Sequence, residues 1–213
     1  MATGFMIPEA HTYLNELVPD RDPELQIMEA YARDHKFPII GPAAGYFCYL
    51  TARLVGAKRV FEMGSGYGYS TAWFARAVKE NGGGTVFHVV WDEGLSKMAR
   101  GHLGKLGFDG LVEYRVSEAT KALRETDGPF DVIFIDIDKH GYPEAFEVAG
   151  KKLRSGGVII VDNVLWSGRI FDPTHRDANG EGIRELTRRA TNDSAWISSI
   201  VPIRDGLLVA YKK

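Results

Sequence analysis

Three short stretches concentrate side chains able to do chemistry. Phe134-Ile135-Asp136-Ile137-Asp138-Lys139-His140-Gly141-Tyr142 holds two carboxylates and a lysine. Asp162 and Asn163 close the apolar run Val158-Ile159-Ile160-Val161. Asp136, Asp162 and Asn163 together offer hard oxygen donors, which suit a divalent cation such as Mg²⁺ that keeps water positions open for substrate oxygens. They do not suit structural zinc: Cys48 is the only cysteine, and the six histidines show no ligand-like spacing. The third stretch, Phe61-Glu62-Met63-Gly64-Ser65-Gly66-Tyr67-Gly68-Tyr69-Ser70, is glycine-rich. Glycine allows positive φ and lets a ligand approach the main chain closely.

These stretches need a scaffold that brings them together, and the pattern after Gly56 supplies one. Short β-branched or aromatic runs (Arg59–Met63, Thr85–Trp91, Val112–Val116, Val132–Asp136, Val158–Asp162) alternate with helical stretches near Tyr69–Lys79, Leu95–Leu106, Glu118–Glu125 and Tyr142–Leu153. Repeated strand–helix–strand units predict an α/β, doubly wound, mostly parallel sheet with helices on both faces. A further helix near Ile183–Ala190 precedes strands at Trp196–Ile203 and Leu207–Tyr211. Asp205-Gly206 between them signals an antiparallel C-terminal hairpin, making seven strands. Residues 1–56 read as a helical N-terminal extension, with helices at about Glu24–Asp34 and Ala43–Val55, and residues 57–213 as the core of one domain. In such sheets ligands bind beyond the carboxyl ends of the strands, where all three stretches fall.

The first glycine turn is not a dinucleotide fingerprint, because Tyr69 stands where Gly or Ala is required, and no Gly-Lys-Ser/Thr follows to make a P-loop. Glu62 would repel a pyrophosphate and suits a cationic or hydroxylated ligand. The spacing of Glu62, Gly64, Gly68 and Ser70 (E-x-G-x-x-x-G-x-S) resembles motif I of class I S-adenosylmethionine-dependent methyltransferases, especially the catechol and caffeoyl-CoA O-methyltransferase group. The D-x-D-K-x-x-Y run from Asp136 and the G-G-V-I-x-x-D-N-x-L-W-x-G run from Gly156 are similar to the metal-dependent members of that group. The likeness extends from about Pro38 to Lys213 and includes Gly45, Arg184, Glu185 and the closing Pro202-Ile203-Arg204-Asp205-Gly206.

The resemblance implies a Rossmann-like methyltransferase fold and methyl transfer from S-adenosylmethionine to a hydroxyl of a catechol-like aromatic acceptor. It implies a divalent cation, Mg²⁺ foremost, on Asp136, Asp162 and Asn163, and a catalytic Lys139 that takes or stabilises the phenolic proton. A lysine can do so only where nearby positive charge and burial favour its neutral form. For the cofactor it implies Gly64, Ser65 and Gly66 beside the methionine part, Ser70 on its carboxylate, and Ile40, Glu62, Ala119, Asp136 and Asp138 lining the pocket. Trp166 would wall the acceptor site. The chain departs from the family in three places: Ser117 replaces a glycine near the start of the fourth helix, Ser167 stands where plant members often carry asparagine near the substrate, and the ribose acid is missing. The acidic residue expected on the ribose hydroxyls falls at His88 or Val90, and Asp92, two residues past Val90 on the same strand face, is the candidate substitute.

Composition bounds the rest. Lys plus Arg is 26 and Asp plus Glu is 28, a formal net charge of −2, which argues against a nucleic-acid binder. No apolar run is long enough for a membrane span, there is no secretory pattern, and a single cysteine excludes a disulfide framework; a cytoplasmic protein is expected. The resemblance implies a homodimer. Two competing readings are a cofactor-binding protein with weak catalysis, motivated by the missing ribose acid, and a dinucleotide-dependent oxidoreductase on the same topology, which Tyr69 and the Asp162-Asn163 pair disfavour.

Overall fold

The computed structural model describes residues 7–213, so the first six residues of the expected helical extension lie outside the described residues. Three helices lead in: α1 (Pro8–Glu16), α2 (Pro23–His35) and α3 (Gly41–Leu54). Proline at the first turn of each has no N–H to leave unsatisfied. Asp22 caps α2 by accepting the Glu24 N–H at 2.8 Å.

The core alternates β1 (Arg59–Met63), α4 (Tyr69–Glu80), β2 (Thr85–Val90), α5 (Glu93–Lys105), β3 (Val112–Val116), α6 (Ala119–Glu125), β4 (Phe130–Ile135), α7 (Tyr142–Lys152) and β5 (Leu153–Val161). It ends with α8 (Ala178–Asn192), β6 (Trp196–Val201) and β7 (Leu207–Lys212). The strands form one seven-stranded sheet in the order β3-β2-β1-β4-β5-β7-β6. The first five strands are parallel, and β7 runs antiparallel to both β5 and β6. This is the doubly wound sheet with an antiparallel end that the sequence predicts.

Two differences in strand bounds have local causes. β2 stops at Val90, because Trp91 turns out to solvent at 81% exposure and Asp92 already caps α5 by accepting the Leu95 N–H at 2.7 Å. β5 begins at Leu153, where a helix end was expected. Lys152 ends α7, and Gly156 at φ +76 stays inside the longer strand.

Strand residues alternate between two apolar layers, so both faces are buried. Val60, Val132, Phe134, Val158 and Ile160 pack with α2 to α5 side chains such as Met28, Cys48, Trp73 and Leu103. Phe61, Ile133, Ile135, Ile159 and Val161 pack with α6 to α8 side chains such as Leu123, Phe146 and Leu186. The strand order reverses between β1 and β4, which opens a crevice beyond their carboxyl ends.

Candidate active site

The turn after β1 forms one wall of that crevice. The Ser65 N–H donates to Val89 O at 2.9 Å, and Ser65 Oγ accepts the Val89 N–H at 2.9 Å, locking the turn onto β2. Gly64 sits at φ +90, and a Cβ there would lie 2.1 Å from the Asp136 carbonyl oxygen. Only glycine permits both that conformation and that approach. The turn after β1 therefore touches the segment after β4. Ser70 is buried in the first turn of α4, where free N–H groups favour an anion.

Beneath the turn, Glu62 is fully buried. Thr71 Oγ1 donates to Glu62 Oε2 at 2.5 Å and lies 3.0 Å from His88 Nδ1. Glu62 and His88 are register partners across β1 and β2. Burial pushes the Glu62 carboxyl up to about 7, against the pull of its hydrogen bonds. Burial, helped by the Arg100 charge, pushes the His88 imidazole down to about 3. Glu62 Oε1 and His88 Nε2 are buried with no hydrogen-bond partner among the described residues. His88 thus lies in the packed interior, tied to Thr71.

The second wall carries the charged groups. Asp136 follows β4 directly, and its N–H donates to Met63 O at 2.9 Å. Lys139 Nζ lies 3.0 Å from Asp136 Oδ1 and 3.1 Å from Ile137 O. The lysine side chain is 13% exposed and sits 5.9 Å from the centre of the Trp166 ring. Asp162 follows β5 with no exposed surface. Its Oδ1 accepts the Asn163 N–H at 2.7 Å, and its Oδ2 accepts from Arg204 Nη1 at 2.7 Å. Burial and the Asp136 charge raise its carboxyl to about 6, although Arg204 opposes them. Tyr142 Oη donates to the Asp162 carbonyl at 2.8 Å.

A loop of left-handed residues holds the far side. Asn163, Trp166 and Ser167 have φ of 58°, 48° and 54°. Asp205 pins them, accepting from Asn163 Nδ2 at 3.2 Å and from the Ser167 N–H at 2.5 Å. Trp166 Nε1 is buried without a hydrogen-bond partner among the described residues.

The sequence-derived residues fall into two groups. Lys139, Asp136, Asp162 and Asn163 occupy the ends of the adjacent strands β4 and β5, and Gly64, Ser65 and Gly66 lie in the turn that meets Asp136. Ile40 is buried at the start of α3, Ala119 opens α6, and Asp138 is exposed just before the Lys139 turn. Asp92 is exposed, with one carboxylate oxygen committed to its helix cap. The sequence marked Asp205 only as part of the hairpin turn and Arg204 only as part of the closing motif; neither they nor Thr71 were assigned to the site.

The O-methyltransferase family model matches residues 14–213. The chain belongs to the O-methyltransferase family. This methyltransferase is 31% identical over 212 residues to a catechol O-methyltransferase of Niastella koreensis, covering 94% of this chain and 95% of that protein. Among solved structures, it is similar to an O-methyltransferase from Bacillus cereus in complex with S-adenosylhomocysteine. The TM-score is 0.86 at 30% identity, over 96% of this chain and 97% of that one. It is also similar to the O-methyltransferase TomG from Streptomyces achromogenes, in complex with S-adenosylmethionine and involved in tomaymycin synthesis. There the TM-score is 0.84 at 28% identity, over 98% and 100% of the two chains. No described helix of the methyltransferase is long and apolar enough to cross a membrane.

Proposed function

We propose that the methyltransferase moves the methyl group of S-adenosylmethionine to a hydroxyl of a small catechol-like acceptor, with a divalent cation at Asp136, Asp162 and Asn163. The observation that carries this reading is the contact of the two walls: Gly64 lies against the Asp136 carbonyl, so a donor cradled by the turn after β1 adjoins the carboxylate–lysine cluster. The transfer is an in-line displacement at the methyl carbon, in which positioning and deprotonation of the acceptor are the main needs.

The donor set fits a hard cation. No three His, Cys, Asp or Glu side chains cluster as metal ligands among the described residues, and the set here is two carboxylates and an amide. Asp136 Oδ2 and Asn163 Oδ1 carry no hydrogen bond among the described residues, and the buried Asp162 carboxyl stands above its ordinary range even beside Arg204. When bound, a cation supplies charge that favours the ionised acceptor oxygen and orients vicinal hydroxyls. Lys139, held by Asp136 and the Ile137 carbonyl, receives or stabilises the acceptor proton. Trp166 walls the acceptor site. Ser70 and the first turn of α4 bind the donor carboxylate, and Gly64, Ser65, Gly66, Glu62, Ile40, Ala119 and Asp138 line its pocket. Asp92 meets the ribose with its uncommitted carboxylate oxygen. The exposed Tyr13, Leu17 and Leu54 of the leading segment support a homodimer, which light scattering tests.

Calorimetric titration with S-adenosylmethionine, followed by assay of a catechol panel with Mg²⁺ and with a chelator, tests the reading. Binding and chelator-sensitive methylation are expected. Absent cofactor binding refutes the donor, and turnover indifferent to chelator refutes the cation.

A further inference from the structure

The loop between β6 and β7 places a permanent positive charge on one of the candidate cation ligands. Arg204 Nη1 lies 2.7 Å from Asp162 Oδ2, and Asp162 has no exposed surface. The other oxygen of Asp162 is held by the Asn163 N–H, so both are engaged. Arg204 adopts φ +55, a left-handed conformation that L residues other than Asn and Asp seldom occupy. Strain of this kind persists where surrounding structure enforces it, often at functional sites. Here the enforcement is visible. The adjacent Asp205 is fastened to Asn163 and Ser167, so the same turn that strains Arg204 also braces the third candidate ligand.

A guanidinium cannot be deprotonated in a protein, so Arg204 cannot yield Asp162 by losing its charge. It can yield only by moving, and its side chain, 25% exposed, has a path to solvent. Lys139 on Asp136 already contributes a second positive charge to the same cluster. A divalent cation entering between Asp136 and Asp162 would meet a like charge at hydrogen-bonding distance from its ligand.

We propose that Arg204 is an internal competitor for the divalent cation: it neutralises Asp162 when no cation is bound and must leave Oδ2 for the cation to bind, which weakens cation affinity. This rests on the cation reading given above. The prediction is that neutralising Arg204 tightens cation binding, although it removes a salt-bridge partner of a buried carboxylate.

The test is calorimetric titration of the full-length protein, without acceptor, using Mg²⁺ alone and then Mn²⁺ alone. Arg204→Gly relieves the backbone strain, and Arg204→Gln removes the charge while keeping a shorter polar side chain. Both are expected to lower the Kd at least tenfold, and Asp136→Asn is expected to abolish binding. Unchanged or weaker affinity in the neutral variants, with wild-type binding intact, overturns the proposal and leaves the cation reading standing. No binding by wild type or by either variant overturns the cation reading and the proposal with it. A measurement on the wild-type chain guards against variants that fail to fold. In ¹⁵N-arginine-labelled protein, the Arg204 Nε–H resonance, assigned with Arg204→Lys, is expected to shift on Mg²⁺ saturation. A resonance unmoved at saturation overturns the proposal.

Discussion

Gly182→Ala is the most discriminating perturbation of the site, because two physical rules give opposite answers for it. Gly182 lies inside α8, where alanine favours a helix over glycine by about 1 kcal/mol. Propensity alone therefore predicts a more stable protein. Packing predicts otherwise. A Cβ at Gly182 would lie 2.2 Å from the Lys139 carbonyl oxygen and 2.9 Å from His140 Cα. Real Cβ contacts essentially never fall under 3.0 Å, so the backbone carrying Lys139 must retreat by about 0.8 Å. Overpacking of this kind costs about 1–3 kcal/mol, leaving a net loss of about 0–2 kcal/mol. For a chain of this size that is a fall in Tm of up to about 8 °C. The larger effect is on chemistry. A misplacement near 1 Å in a reacting constellation can cost on the order of 10²-fold in rate. The expected result is a kcat about 30–100-fold lower, with S-adenosylmethionine affinity within about twofold because the clash falls on Lys139 and His140. Steady-state kinetics, donor calorimetry and thermal unfolding read the three quantities. A variant with raised Tm and turnover within twofold of wild type would refute the claim that α8 fixes the position of Lys139.

Lys139→Ala is expected to leave donor affinity nearly intact and to lower turnover by about 10²–10⁴-fold, read by calorimetry and single-turnover assay; equal loss of both would contradict a purely chemical role. For Glu62, the folded carboxyl at about 7 stands above its ordinary 4.5, so the folded state holds the proton longer and loses stability as pH rises through that window. Between pH 5 and 8 the stability difference between wild type and Glu62→Gln, which cancels titrations common to both, is expected to move by about 2–3 kcal/mol toward the variant. Urea midpoints at the two pH values measure this, and a difference independent of pH would show that Glu62 is ionised throughout. Asp205→Ala removes acceptors for Asn163 and Ser167 and is expected to cost about 1–3 kcal/mol. Faster amide exchange at Ser167 should accompany the loss, and unchanged exchange would rule out the pinning role.

The parallel half of the sheet was legible because its signal is local. β1 at Arg59–Met63 and β3 at Val112–Val116 carry their own β-branched residues and end at turns visible in the sequence. The placement of β7 between β5 and β6 was not legible, since Asp205-Gly206 announces a hairpin and says nothing of which arm joins the sheet. That Asp136, Lys139, Asp162 and Asn163 lie together was legible because the ends of neighbouring strands converge in this architecture. Arg204 was missed because its role depends on where a loop more than forty residues after Asp162 returns. His88 raised the opposite difficulty. Counting along the chain made it a candidate for the ribose position, whereas its imidazole is buried with Thr71 and Glu62.

The strand order also governs when the crevice can be completed during synthesis. β6 is made before β7, yet among the described strands it pairs only with β7, so a growing chain holds β6 as an orphan edge until residues 207–212 have emerged. Until then β5 lacks its outer neighbour, Asp162 lacks Arg204, and Asn163 lacks Asp205. A nascent chain halted before residue 204 would keep its glycine turn and its lysine but leave Asp162 without its guanidinium partner. The crevice is thus closed last, by the segment most distant in sequence from the turn that begins it.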